Sequence, residues 1–546
     1  MEGKLLWPLI IYIAGWSALT RASSASTSAP NRIFDPDDWA RRDKSTIASC
    51  SIPPPQDPDN YFKPENGRDF CSSSVSPEEM SDDDIHQIAV AYAPVLFFHP
   101  LEEHSLQTPD VIFEDPSKGR IFNNDDGEYI LVDDTLNLTA LLLTSNGTDG
   151  VFSGGSHFFE FIDPNEEYKA GAGYVLDEEH PGRSVSRASI YYNVLDYSES
   201  GIWVINYYFF FTWQGSQTFG FGVGDNKYTI RELEPYGEHE GDWESMSVMI
   251  CAPESTTSGQ QSTSQLPQPL AVTYQEHAFS EITDCTKGEC IFWKDSGINP
   301  VGFVALGSHA TYPVTSRNHV YAAFPFNLFY FIPGFFFLSD QTVFRDEETG
   351  EYRMFLPTSS NLVRHKNPED IILNVSPESE YWQGYGGKWG ESRVGDSAIP
   401  PEDPSRCFNS MQNAYLEECP NVSLADAIVK FLQSYTTEVL GAIVPSVARF
   451  LQPNVGPVGP GAKFFFYDWL PPESADLYYC LEPYNKIIED EEMFCRWLGD
   501  PVLGDEEEDG DGEDIYSPRI FAIVLDVAIR TTAFVSNIVG FFVSWP

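Results

Sequence analysis

The segment Gly237-Glu238-His239-Glu240-Gly241-Asp242-Trp243-Glu244 runs directly into Ser245-Met246-Ser247-Val248-Met249-Ile250, and this junction constrains the fold more than any composition figure. On a strand, alternate residues share a face, so Asp242 and Glu244 point the same way as Met246, Val248 and Ile250. An apolar face that opens with two carboxylates is costly to bury unless a cation, an imidazole, a guanidinium or backbone N–H groups compensate them. Trp243 falls on the other face and is expected to pack. The chain therefore needs a covered sheet with a polar rim at one end.

Further short β-like runs are Ile202–Phe210, Leu270–Gln275 and Val301–Leu306, separated by turns and by the Ser/Thr/Gln-rich loop 255–268. Aromatics make up 14% of the chain, with 40 Gly and 40 Pro, a balance that favours strands and turns over long helices. The expected fold is mainly β, a jelly-roll-like β-sandwich whose core covers about 86–400 within a domain of 86–475. C-terminal helical additions are expected from 424 onward, because Leu424–Leu451 has helical apolar spacing interrupted at Pro445. Residues 23–85 are Ser/Pro/Asp-rich and read as a partly disordered lead-in. Residues 476–546 combine an acidic linker, Asp505–Asp514, with an apolar helix, Ile520–Trp545. Arg519, Asp526, Arg530, Asn537 and Ser544 form a polar stripe on that helix, which suits docking on the domain first and an in-plane interfacial helix second.

Lys and Arg total 32 against 82 Asp and Glu, a net charge of −50 that excludes nucleic acid as a partner, since such proteins need a basic footprint. Lys4 precedes an apolar run from Leu5 to Leu19 and small residues through Ser23, which reads as a signal peptide over 1–22. Eight of the nine Cys form sequence-local pairs, Cys50/Cys71, Cys285/Cys290, Cys407/Cys419 and Cys480/Cys495, and Cys251 is left as a buried thiol. Sequons at Asn137, Asn146, Asn374 and Asn421 would mark a glycoprotein. These features agree on the secretory pathway, with an extracellular or vacuolar lumen as destination.

Two later strands end in histidine, at His277 and His309. A strand starting at Asp242 that lay between them, antiparallel to both, would bring His239, Asp242, Glu244, Glu276, His277 and His309 to one rim. His239, Asp242, Glu244, His277 and His309 then form a candidate metal set. Carboxylates suit Ca²⁺ or Mg²⁺, and added imidazole moves the balance toward Zn²⁺. A hydrogen-bonded polar cluster, each His satisfied by a carboxylate, accounts for the same residues without a metal.

The blocks His239-Glu240-Gly241-Asp242-Trp243-Glu244, Gln275-Glu276-His277 and Ala305-Leu306-Gly307-Ser308-His309-Ala310 resemble the vacuolar protein sorting-associated protein 62 family. The opening Tyr92-Ala93-Pro94, the segment His319-Val320-Tyr321, the segment Gly387-Lys388-Trp389-Gly390 and the close Gly456-Pro457-Val458-Gly459-Pro460 are similar to further blocks of that family, in its order. The resemblance implies a role in delivery to the vacuole and no defined chemistry. Glu238–Glu244 also resembles the heptapeptide of the necrosis- and ethylene-inducing toxins, β-sandwiches whose heptapeptide holds a divalent cation at a membrane-facing pole. Asp242 and Glu244 match its final Asp and Glu, but Gly241 stands where that motif has His, so His239 would have to replace it.

Two functional readings follow. One is a divalent-cation-binding β-sandwich that recognises a lipid or glycan ligand without turnover. Its membrane interface would be the aromatic run 324–338 or the segment 520–545. Buried packing is the competing role for 324–338, and Pro325 and Pro333 rule out a continuous spanning helix there. The other is a metal-dependent hydrolase, with Glu240 or Glu276 as base and His277 or His309 as acid.

Overall fold

Ile202–Gln214 is apolar along almost its whole length, so neither of its faces can remain in water, and it lies at the centre of the molecule. The structure, a computed structural model, describes residues 32–36, 71, 73–125, 128–145, 157–161, 171–215, 218–223, 226–230, 238–253, 266–276, 279–316, 319–328, 332–346, 349–367, 370–390 and 459–460. Ile202–Gln214 pairs antiparallel with His239–Cys251 from Gln214↔His239 to Ile202↔Cys251. These two strands are the middle of a six-stranded sheet ordered Phe279–Asp284, Ala271–Glu276, His239–Cys251, Ile202–Gln214, Ile190–Tyr197, Leu362–Arg364. A second six-stranded sheet is ordered Thr311–Tyr312, Val301–Val304, Val95–Phe98, Tyr352–Phe355, Arg183–Ser186, Tyr174–Leu176.

The inner faces of both sheets meet in one core. Ile205, Tyr207, Phe209, Phe211, Met246, Val248, Ile250 and Val272 of the first sheet pack with Leu96, Phe98, Val304 and Phe355 of the second. This is the expected mainly-β sandwich, and the alternation from Met246 to Ile250 faces the core as read. Ile85, Ile88, Ala89 and Tyr92 of the helix Asp82–Tyr92 join the same core; Ser81 caps that helix by accepting from Asp84 N, and three Asp occupy its first turn. The outer face of the first sheet is covered as well. There Tyr208, Phe210 and Trp243 pack against Ile121, Phe159, Trp382 and Trp389. Trp243 does pack, 5.1 Å from Trp389 and 4.9 Å from Phe210 between ring centroids. Burial on both faces explains why these strands are so rich in aromatics.

The expected strand order needs correcting. Val301–Val304 is not beside His239–Cys251; it lies in the opposite sheet, parallel to Val95–Phe98. The second neighbour of His239–Cys251 is Ile202–Gln214, because only a strand of similar length and two-sided hydrophobicity can pair along its whole course. The other neighbour, Ala271–Glu276, is antiparallel as expected, with Met246↔Tyr274 through Met249↔Ala271.

The cysteine pairing differs too. Cys71 bonds Cys251, and neither the pair Cys50–Cys71 nor a free Cys251 holds; Cys285–Cys290 forms as expected. Cys71 reaches Cys251 because the segment after it is strapped across that end of the sheet. Ser73 Oγ donates to Pro253 O at 2.7 Å, Trp203 Nε1 to Val75 O at 2.8 Å, and Ser76 Oγ to Asp196 Oδ2 at 2.6 Å. Cys50, Cys407, Cys419, Cys480 and Cys495 lie outside the described residues, as do the signal segment and everything expected from 424 to 451 and from 476 to 546.

Part of the lead-in is built into the fold. Arg32–Phe34 forms a parallel strand with Ile291–Trp293, and Phe34 is fully buried. The aromatic run 324–338 falls on an antiparallel hairpin, His319–Leu328 with Ile332–Asp340, in a four-stranded sheet with Thr218–Val223 and Asn226–Ile230. Pro325 lies on the edge strand and Pro333 is the second residue of its strand, positions where a missing N–H is tolerated. Among the described residues no helix is long and apolar enough to cross a membrane.

Candidate functional site

Three chain segments meet at the pole where His239–Cys251 begins. The first is the start of that strand, with Glu238, His239, Glu240, Asp242 and Glu244 all buried. Gly241 sits at φ 58°, and a Cβ there would lie 2.7 Å from the Trp389 carbonyl oxygen. Gly390, at φ 89°, presses equally closely on the Glu240 carbonyl. These two glycines let the segment 387–390 clamp the strand start, which is why both must be Gly.

The second segment is the turn Ala305–Ala310, closed by Ala305 N→Ala310 O at 2.9 Å and His309 N→Ala305 O at 3.2 Å. Its His309 adopts φ 58°, a left-handed conformation uncommon for a residue with a Cβ. That backbone delivers the imidazole into the interior, where it is 0% exposed and stacks on Phe211 at 3.7 Å. Next to it, Ser308 Oγ and Tyr312 OH each donate to Asp340 at 2.7 Å, which anchors the turn from behind.

The third segment is the loop after Val95–Phe98, which supplies Glu102. Its carboxylate accepts from Gly307 N at 2.6 Å and from His104 N at 2.8 Å, and its carbonyl accepts from Arg353 Nη1 at 2.6 Å.

These segments assemble a carboxylate–imidazole–carboxylate clasp across the sandwich. His309 Nδ1 donates to Asp242 Oδ2 at 2.9 Å, and its Nε2 stands 3.5 Å from Glu102 Oε1, an ion-pair distance longer than a hydrogen bond. Burial alone would push the His309 imidazole down, but the Glu102 charge and the bond to Asp242 outweigh it and lift the pKa to about 9. Burial likewise pushes Glu102 up, and the His309 charge 3.5 Å away, with His104 and the Gly307 N–H, brings it down to about 2. At neutral pH the clasp therefore holds an imidazolium between carboxylates.

His239 behaves differently. Burial holds it below its ordinary range despite the nearby Asp242 charge, so it is neutral at pH 7. Its Nδ1 lies 3.2 Å from the Glu240 carbonyl, and the Gly241 backbone makes a further hydrogen-bonding contact with the ring.

Of the residues singled out from sequence, Asp242 and His309 are in direct contact, and His239 lies within electrostatic reach of both. Glu240 contributes its backbone carbonyl to His239, and Glu244 follows Asp242 on the same strand. Glu276 ends the strand Ala271–Glu276, and His277 lies outside the described residues. Among the described residues, no three His, Cys, Asp or Glu side chains stand close enough to share one metal ion. Glu102 was missed; its signal was the acidic stretch Leu101-Glu102-Glu103 directly following a buried strand.

No family model matches the chain, and no curated protein matches it. Among solved structures, the crystal structure of the non-toxic HaNLP3 protein is similar over 54% of this chain and 80% of that chain, at 12% identity and a TM-score of 0.19. A likeness that low carries no argument about function.

Proposed function

We propose that the chain is a lumenal or extracellular recognition protein: a β-sandwich that takes a divalent cation at the His239–Glu244 end of its central strand and presents that pole to a lipid or glycan ligand. The observation that carries the reading is His239. It is buried and neutral, with Nδ1 turned to the Glu240 carbonyl, a backbone contact of the kind that orients a metal-ligating imidazole. Asp242 would be the second ligand. His309 Nδ1 donates to its Oδ2 and so fixes the carboxylate in place. His239, Asp242 and Glu244 do not by themselves stand close enough to share one ion, so His277, outside the described residues, would have to complete the set. The cation would neutralise an acidic pole and give an anionic or hydroxyl-bearing headgroup something to bind. Against the hydrolase, His309 is fully buried with both ring nitrogens facing carboxylates, which leaves no route for it to reach a substrate as acid.

The disulfides Cys71–Cys251 and Cys285–Cys290 support an oxidising compartment. Kinship with the vacuolar protein sorting-associated protein 62 family is proposed on the ordered motif blocks from Tyr92 to Pro460 alone, since no family model matches the chain. Calorimetry tests the cation. Wild type and Asp242→Ala are melted in excess chelator, then in Ca²⁺, Mg²⁺ or Zn²⁺. A cation should raise the melting temperature of the wild type and leave Asp242→Ala unmoved, because binding to the native state is what stabilises it. If no cation raises the wild-type melting temperature, the metal reading fails and the clasp stands as a structural polar cluster.

A further inference from the structure

On the face of the second sheet turned away from the first, residues 32–36 occupy a groove in the manner of a bound peptide. Arg32–Phe34 adds a parallel strand to Ile291–Trp293, with Arg32 N donating to Cys290 O and Lys294 N to Phe34 O, both at 3.1 Å. The disulfide Cys285–Cys290 anchors the start of the receiving strand. Phe34 fills an aromatic cage, its ring centroid 5.0 Å from Phe97, 5.3 Å from Phe303 and 5.4 Å from Phe344, all edge-on. Beyond it, Lys294 Nζ donates to Asp35 Oδ1 at 2.9 Å and Arg345 Nη1 to Pro36 O at 3.2 Å. Ile33, facing away, is 52% exposed, so the groove reads alternate residues. Main-chain pairing, one deep aromatic pocket and a cationic reader for the next residue are the parts of a strand-addition recognition site.

We propose that this groove is a peptide-recognition site for an extended aromatic–Asp–Pro segment, which the chain's own residues 32–36 fill in cis. Tethering gives the cis segment a high effective concentration, so a partner bearing the same chemistry binds well only when the arm is weakened or released.

The test uses the full chain and a fluorescent peptide copying residues 29–38. By anisotropy, the peptide should bind Phe34→Ala saturably and at least about tenfold tighter than it binds wild type. A peptide with Ala in place of the phenylalanine should lose at least about tenfold against Phe34→Ala. Equal affinity for both proteins, or indifference to the phenylalanine, would overturn the proposal. Should Phe34→Ala not fold, a specific protease site placed between Ser45 and Thr46 of the otherwise wild-type chain gives a second route. After cleavage the arm should remain bound on gel filtration and be replaced by excess labelled peptide. Loss of the cut arm without uptake of the peptide, or an arm that excess peptide never displaces, would sink the idea.

Discussion

His309→Asn probes the clasp between the sheets directly. Asn tolerates the left-handed backbone that His309 adopts at φ 58°, and it removes the cation while keeping a polar side chain beside Asp242. In the folded protein burial opposes the imidazolium, but Glu102 and Asp242 lift its pKa from 6.5 to about 9. The folded value is the higher one, so the native state binds the proton more tightly than the unfolded chain. The stabilisation is therefore complete below pH 6.5 and is lost as pH rises through 9. At about 1.4 kcal/mol for each pH unit that separates the folded pKa from the unfolded one, the clasp contributes roughly 3 kcal/mol, most of which disappears between pH 7 and pH 10. Denaturant unfolding of wild type and His309→Asn across that range should show their gap in unfolding free energy narrowing by about that amount. Lysines and tyrosines that titrate in the same window are common to both proteins and cancel. A gap that stays constant would refute the reasoning, because His309 would then act through its stacking on Phe211 and not through charge.

Other consequences are as direct. Gly241→Ala sets a Cβ 2.7 Å from the Trp389 carbonyl at a positive φ and should cost roughly 2 kcal/mol or more, whereas Gly297→Ala, also at positive φ but with open space around it, should cost only about 1 kcal/mol; melting temperatures decide. Non-reducing peptide mapping should recover Cys71 linked to Cys251, and Cys251→Ser should cost up to about 5 kcal/mol, since the bond closes a span of 180 residues; recovery of Cys71 linked to Cys50 would contradict the fold at that end. Burial lowers His365 to about 4, partly opposed by a hydrogen bond to the Lys366 backbone, so its stability contribution is present above pH 6.5 and lost as pH falls to 4. His365→Phe, which suits the neighbouring rings of Tyr208 and Trp382, should lack up to about 3 kcal/mol of the acid destabilisation seen in wild type, and parallel acid limbs would refute the assignment.

What could be read from the sequence was whatever depends on neighbours along the chain. Period-two alternation placed Met246, Val248 and Ile250 inward and Trp243 outward, and both placements hold because alternation is a property of a single strand. The short pair Cys285–Cys290 closes within one turn and was legible for the same reason. Cys71–Cys251 was not. Proximity in sequence favoured Cys50, and what decides the partner is the strap from Ser73 to Ser76, which hydrogen-bonds to Pro253, Trp203 and Asp196, each more than a hundred positions away. Phe34 was hidden by its setting, since one aromatic in a Ser/Pro-rich stretch has no periodicity to announce a strand.

The clasp shows the same division inside one site. Asp242 and His309 were expected to meet as neighbours in one sheet, and they meet across two. Parallel pairing of Val95–Phe98 with Val301–Val304, register Phe98↔Val304, makes both strands leave the sheet at the same pole. Glu102 then lies four residues beyond one exit and His309 five beyond the other, which brings carboxylate and imidazole together without any local motif. In the facing sheet His239–Cys251 begins at that pole, so Asp242 arrives early in its strand with the core residues still ahead of it. An antiparallel pair in the second sheet would have sent the Glu102 loop and the His309 turn to opposite poles. One of the two carboxylates would then have had no imidazolium within reach. The charge pattern at this pole is thus a product of strand direction, and strand direction is the quantity that a single run of alternating residues does not encode.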